Sequence, residues 1–400
     1  MSVSRRWIMI GVSLALAGLM LVLSVGLMAA ASGPWRSVGV DSGQVSQLVA
    51  ADTALYALTG YGYGTGVVDA TLEVPGLAVG IVAFGPGSGI WKSTDEGASW
   101  QPTSMAVDGA SGYDNLQLQA MGVSATGNTV CGSVTEGMFG PALESRIWCS
   151  TNGGDRWSSA LVPTSSVQAL AILNHPAGRI VAGSANSDDR PLFYSDDDGA
   201  NWAKAIVTGP YTRVNVYALA EGSLYAGGQV CETTFCEQAR PAVYTSTSGV
   251  TWTLAFTQAT GYRFAQIVTD PSDASRAYAL VEPQMLRPGG IQGTVYSTTN
   301  RGQTWSALPN QPGQPNDTSY LAVDSQGRLY AASSRMSISV STPLIGGWAS
   351  NVYRSNDNGA SWSYIGQTAG GQSISAIAVD PHDDNVVYFS STDTDPAVGV

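Results

Sequence analysis

Six times along the chain the same short pattern returns, Ser/Thr-x-Asp/Asn-x-Gly-x-x-Trp. It runs from Ser93 to Trp100, Ser150 to Trp157, Ser195 to Trp202, Thr298 to Trp305 and Ser355 to Trp362, with a copy one residue shorter from Ser246 to Trp252. The turn position is filled by Asp95, Asn152, Asp197, Ser248, Asn300 and Asp357. Successive tryptophans are 57, 45, 50, 53 and 57 residues apart. Each copy has the chemistry of a β-hairpin. Asp or Asn accepts hydrogen bonds from the backbone of its own turn, Gly takes the positive φ that closes it, and Trp packs back across the strands. An aromatic residue two positions before the Ser/Thr (Trp91, Trp148, Phe193, Tyr244, Tyr296, Tyr353) marks the strand that enters each turn.

The repeat length suits one four-stranded propeller blade. Strand-like segments precede each turn in pairs, such as residues 169–173 with 180–183, 214–219 with 224–227, and 377–380 with 386–390. The predicted fold is therefore all-β, with strands A to D in each blade and the repeat turn between C and D. The C-terminal segment supplies an A strand, a B strand and the start of a C strand at Pro396–Val398, without a repeat turn. At the other end, Pro34–Gly39 reads as a Trp-led D strand. Six repeats plus this composite predict a seven-bladed ring closed by the N-terminal strand, which removes exposed sheet edges.

The repeat resembles the Asp-box, or BNR repeat, of sialidase-like β-propellers, and the resemblance covers nearly all of residues 34–400. Family sialidases imply an arginine triad, a Tyr–Glu nucleophile pair, an acid/base Asp and an early Phe/Tyr-Arg-Ile-Pro motif. That motif is absent; Ser145-Arg-Ile-Trp148 comes nearest and leads into a repeat turn. Xyloglucanase-type relatives imply two propellers with a cleft between them, and a single propeller supplies half of such a cleft. Asp108, Asp114 and Glu136 are the carboxylates to consider as an acid and base, and no spacing makes them face each other. The chain is similar in architecture to the photosystem II assembly-factor propellers, which imply protein binding rather than catalysis; their arginine-rich blade surface is not evident.

Residues 1–31 read as a signal peptide or membrane anchor, with residues 32–400 as the propeller. Arg5 and Arg6 precede an uncharged apolar run from Trp7 to Ala31, and Ala29-Ala-Ala31 supplies a small-residue cleavage site. The run is also long enough to span a bilayer. Either reading puts residues 32–400 outside the cytoplasm, secreted or anchored to the outer face of the membrane. The cysteines fit that compartment as two disulfides, Cys131 with Cys149 and Cys231 with Cys236. The formal charge is −12, and the segment after the leader is more acidic still. Such a surface repels phosphate backbones and anionic headgroups, so no nucleic acid is expected, and a membrane only through the leader. No Cys-x-x-Cys spacing exists and His175 and His382 both read as turn residues, so no metal or other cofactor is expected.

Long excursions between strands B and C crowd the face opposite the repeat turns: residues 61–90, 134–145, 229–241, 282–293 and 333–350. Long loops on a rigid scaffold are where binding concentrates. The candidate ligand-binding residues are Tyr61, Tyr63 and Trp348 on these loops, and Tyr211, Arg213, Tyr262 and Arg263 before the A strands of adjacent blades. Two guanidiniums near the central channel can clamp a carboxylate. These features predict a non-catalytic binding or assembly propeller for a protein or glycan, with no catalytic residue assigned. A glycoside hydrolase is the alternative.

Overall fold

The computed structural model describes residues 36–37, 44–60, 78–81, 89–103, 117–136, 144–164, 166–174, 178–185, 191–211, 213–220, 224–231, 239–283, 293–313, 318–338, 346–367 and 373–392. The leader, Tyr61, Tyr63, Asp108, Asp114, His175, Cys236 and the segment 396–398 lie outside them. Among the described residues every regular element is a β-strand. No helix among them is long and apolar enough to cross a membrane.

The strands form seven sheets in a ring. Six are blades in which consecutive strands pair antiparallel from the axis outward. The innermost strands are Gln44–Ala51, Gln117–Val123, Val167–Ile172, Arg213–Ala220, Tyr262–Thr269 and Thr318–Val323. Between neighbouring sheets lie separate apolar cores, because each sheet buries both faces. One such core joins Val181, Leu192, Val216, Ala226 and Trp252 across the third and fourth blades. Another joins Tyr330, Val352, Ile374 and Phe389 across the sixth blade and the seventh sheet. A third, with Val45, Leu48, Trp100 and Tyr388, closes the ring onto the first blade.

The expectation of a seven-bladed ring of six repeat blades and one composite needs correction: the described residues form six regular blades, and the seventh sheet is a composite of a different make-up from the one expected. The composite begins as predicted with Ser373–Val379 and Val386–Thr392. The place beside Val386–Thr392 is taken by Ala78–Ile81, which leaves the first blade and pairs in parallel, Val387 opposite Val79 and Phe389 opposite Ile81. The N-terminal strand Arg36–Ser37 does join this sheet, but outside Ala78–Ile81 and parallel to it. A second crossing was also unforeseen. After Ala203–Lys204 the outer strand of the third blade passes to the fourth, where Ile206–Thr208 pairs in parallel with residues 251–253 as a fifth strand.

The six repeat turns share one geometry. The Ser/Thr hydroxyl accepts a hydrogen bond from the Gly amide at 2.8–3.0 Å in all six. In five, the Asp or Asn Oδ1 accepts from the amide four residues on at 2.8–3.0 Å. The indoles of Trp100, Trp157, Trp202 and Trp252 donate back to the Gly carbonyl at 2.9–3.1 Å. Trp362 instead donates to Asn310 O of the preceding blade at 3.2 Å. The Gly is needed twice over in the third blade: Gly199 has φ 86°, and a Cβ there would stand 2.7 Å from Cys149 Sγ. Cys149 is disulfide-bonded to Cys131 on the neighbouring strand. Such a bond persists in oxidising compartments. Cys231 is also disulfide-bonded.

Candidate functional site

Six of the seven innermost strands, all but Thr318–Val323, share a local device that sets which side chains reach the axis. A bulge interrupts pairing after Val45, Leu118, Val167, Val216, Phe264 and Ile374, each a buried apolar residue. A bulge re-aims the side chains around it. Two residues past these anchors, Gln47 and Gln266 reach across to the next blade's innermost strand. Gln47 Oε1 accepts from the Met121 amide at 2.6 Å. Gln266 accepts from the Leu321 amide at 2.8 Å and donates to its carbonyl at 3.0 Å. The inner strand edge has no further strand to pair with, so these amides satisfy backbone groups that would otherwise be stranded.

These strands enclose a central channel of about 430 Å3. Its lining comes from Ser46–Val49, Ala169, Leu170, Leu219, Arg263–Ile267, Tyr320, Ala376, Ile377 and Glu282. Arg263 and Tyr320 stand near the start of innermost strands, and Glu282 near the end of Ala277–Pro283. That is the end of the blades from which the long B–C excursions leave. Arg263 donates from Nε at 3.1 Å and from Nη2 at 2.7 Å, both to Glu282 Oε2. The guanidinium is 56% exposed, while the carboxylate is 6% exposed. Glu282 Oε1 has no hydrogen-bond partner. Burial, with the nearby negative Glu282 adding to it, raises the pKa of Tyr320, so its phenol stays protonated at neutral pH. Among the described lining residues Glu282 is the one carboxylate and Arg263 the one cation.

The other predicted residues are spread more widely. Arg213 is the first residue of its strand and lies opposite Cys231. Counted from the bulge, Asn215 rather than Arg213 corresponds to Arg263, which puts the two arginines two residues out of step. Tyr211 is half-buried against the core between the third and fourth blades. Tyr262 is half-buried opposite Pro283, beside Arg263. Trp348 lies opposite Met336 near the end of the long hairpin formed by Leu329–Ile338 and Gly346–Ser355.

The turn face is built from the A–B turns and the repeat turns together. Gly153 N donates to Asn128 O, and Arg301 N to Ser275 O. Tyr56, Tyr330 and Tyr388 are buried beneath this face, with hydroxyls on Gly127 O, on Asp324 Oδ2 and on Asp380 Oδ2. Desolvation pushes Tyr56 and Tyr330 up to about 12. His382 is exposed and its Nε2 contacts Asp52 O, so the composite sheet's turn clasps that of the first blade. Among the described residues no cluster of His, Cys, Asp and Glu is arranged to hold a metal.

No family model and no curated protein matches this sequence. Solved structures do. The GH74 xyloglucanase from Xanthomonas campestris is 20% identical, with a TM-score of 0.58 over 90% of this chain and 52% of its own. YCF48 bound to D1 peptide is 14% identical, with a TM-score of 0.51 over 86% of this chain and 90% of its own. The outer coat vertex of COPII on membranes gives 12% identity and a TM-score of 0.54 over 88% of this chain and 82% of its own. The chain thus spans about half the length of the xyloglucanase. At these identities the likeness shows the propeller fold, which enzymes and non-catalytic proteins share.

Proposed function

We propose that this chain is an extracytoplasmic Asp-box propeller that works by binding, with the long-loop face and the channel mouth beneath it as the engaging surface. The observation that carries this reading is the Arg263–Glu282 pair. A glycosidase of the two-carboxylate kind, such as a xyloglucanase, needs a pair of carboxyl groups about 5–9.5 Å apart, one of them free to move a proton. Here the lining carboxylate is neutralised by a guanidinium that is itself open to the channel. Such a pair suits recognition. The disulfide and the leader sequence support a location outside the cytoplasm. Tyr61, Tyr63, Tyr211, Arg213, Tyr262 and Trp348 are assigned to the same engaging surface.

Crosslinking of the full chain on its native membranes tests the reading. Crosslinks to a stoichiometric partner should fall on residues 134–145, 229–241 and 333–350. Crosslinks confined to the repeat-turn face would overturn it. Steady hydrolysis of a glycoside, abolished by one carboxylate-to-amide change, would replace it with the glycosidase reading.

A further inference from the structure

Two Asn-Gly pairs occur in the sequence, Asn152-Gly153 and Asn358-Gly359, and both fall in repeat turns. Asparagine before glycine is chemically labile. The glycine amide nitrogen, once it has lost its proton, attacks the side-chain Cγ of the asparagine; the N–Cγ bond forms, the Cγ–Nδ2 bond breaks and ammonia leaves. Water then opens the cyclic imide at either carbonyl to give aspartate or isoaspartate. The reaction needs a glycine amide that can shed its proton and a side chain free to swing over it. At Asn152 the fold withholds both. Its Oδ1 accepts from the Ser150 hydroxyl at 2.8 Å and from the Arg156 amide at 3.0 Å, and the buried Gly153 amide donates to Asn128 O at 2.8 Å. At Asn358 the fold withholds one. Gly359 is buried and its amide donates to the Ser355 hydroxyl at 2.8 Å, so losing that proton would leave an anion away from water. Asn358 itself stands exposed at a left-handed φ of 58°, and its side chain has no hydrogen-bond partner among the described residues.

We infer that Asn358 is a modification site at which the chain deamidates spontaneously, paced by opening of the sixth blade's repeat turn, and that the product loosens the seam between the fifth and sixth blades. The turn covers that seam. The α-carbon of Gly359 rests on Leu308, where a Cβ would stand 2.5 Å from Cδ1. Leu308 belongs to the apolar core that Tyr278 of the fifth blade shares with Leu321 and Leu329 of the sixth. The Asn310 side chain donates to Ala360 O at 2.6 Å, and Trp362 Nε1 donates to Asn310 O at 3.2 Å. Isoaspartate adds a carbon to the backbone and leaves the former main-chain carboxyl as a charged side group. A turn lengthened in that way cannot hold Gly359 on Leu308 and Ala360 on Asn310 together. Exposed turns open at free energies below that of the whole fold, so the reaction proceeds without global unfolding. No ligand enters it, and water is the sole co-reactant.

The test follows the full chain through incubation at mildly alkaline pH by peptide mapping, with isoaspartate-specific methyl transfer as the label. Asn358 should deamidate more slowly than in an unstructured peptide of the same sequence, and faster than Asn152. Ser355→Ala removes the hydroxyl that holds the Gly359 amide and should raise the rate at Asn358 about fivefold, the scale of one hydrogen bond, with Asn152 unchanged. Ser355→Thr keeps a hydroxyl, as Thr298 does in the fifth blade, and should restore the parent rate. Asn310→Ala, at an exposed position, loosens the turn from outside and should also raise the rate at Asn358; it carries the test if the Ser355→Ala chain does not fold. The isoaspartyl chain, isolated by chromatography, should exchange amide hydrogens faster at residues 306–311, with the third blade as protected as before. No isoaspartate at 358 in the folded chain, equal rates in chain and peptide, or faster loss at Asn152 would overturn the inference. So would unchanged rates in both variants, or an unaltered exchange pattern in the isoaspartyl chain.

Discussion

Residues of the repeat turn divide their labour in ways that lead to distinct measurements. Trp252 is 1% exposed and fills the core between the third and fourth blades, whereas Trp362 is only half-buried. Trp252→Ala should cost about 3–5 kcal/mol through the cavity it leaves, and Trp362→Ala clearly less, as read by denaturant melts. Equal losses would contradict the difference in burial. Hydrogen bonds from the Ser361 hydroxyl, the Ser361 amide and the Ser355 hydroxyl hold Asp357 down to about 2. A depressed carboxylate contributes stability above its unfolded value, about 3.9, and loses it as pH falls through the folded one. Its carboxyl carbon should thus titrate near pH 2 by NMR; a midpoint at or above 3.9 would refute the assignment. The Asp, Gly and Trp roles were legible in the sequence, because turn chemistry is local. The Ser/Thr role was not. The repeat pattern names no partner for its hydroxyl, which in the structure is buried and accepts from the Gly amide in every copy.

Strands and turns show where local legibility ends. Strands A to D of the blades follow from periodic apolar residues, as does the placing of A–B turns beside repeat turns. The Arg263–Glu282 pair was missed because the two residues are 19 apart on separate strands, and only the register sets them opposite. The offset of Arg213 was hidden for a related reason: only the paired register shows that Asn215, not Arg213, stands one residue before its bulge, as Arg263 does. Gln47 and Gln266 likewise read as ordinary polar strand residues until the next blade stands beside them. The clasp between His382 and Asp52 joins two turns, and the hydrogen bond to the Asp52 carbonyl raises the His382 pKa above its usual value. A raised histidine contributes stability that is complete below about 6.5 and is lost as pH rises through the folded value. NMR titration should give a midpoint above 6.5, with faster amide exchange at residues 52–53 on the alkaline side. A midpoint at or below 6.5 with no change in exchange would show that the clasp does not couple to protonation.

Over the whole molecule, what escaped the sequence is the manner of closure. A four-residue strand that pairs in parallel with a segment some three hundred residues away has no hairpin or repeat to announce it. Gly80 lies opposite both Tyr388 and Arg36, in the middle of the composite sheet. Gly80→Pro removes a ladder donor there and should accelerate hydrogen exchange across residues 373–392 while leaving the third blade protected. Uniform loss in both regions would mean that the ring melts as one unit instead. The same arrangement has a bearing on time. The six blades bring together strands close in sequence, so each can form early and alone. The composite sheet gathers residues 36–37, 78–81 and 373–392, whose closing loops are among the longest in the chain. Ring closure is then the slow step of refolding, and until it is complete the first and sixth blades present unmatched apolar faces to any other chain nearby.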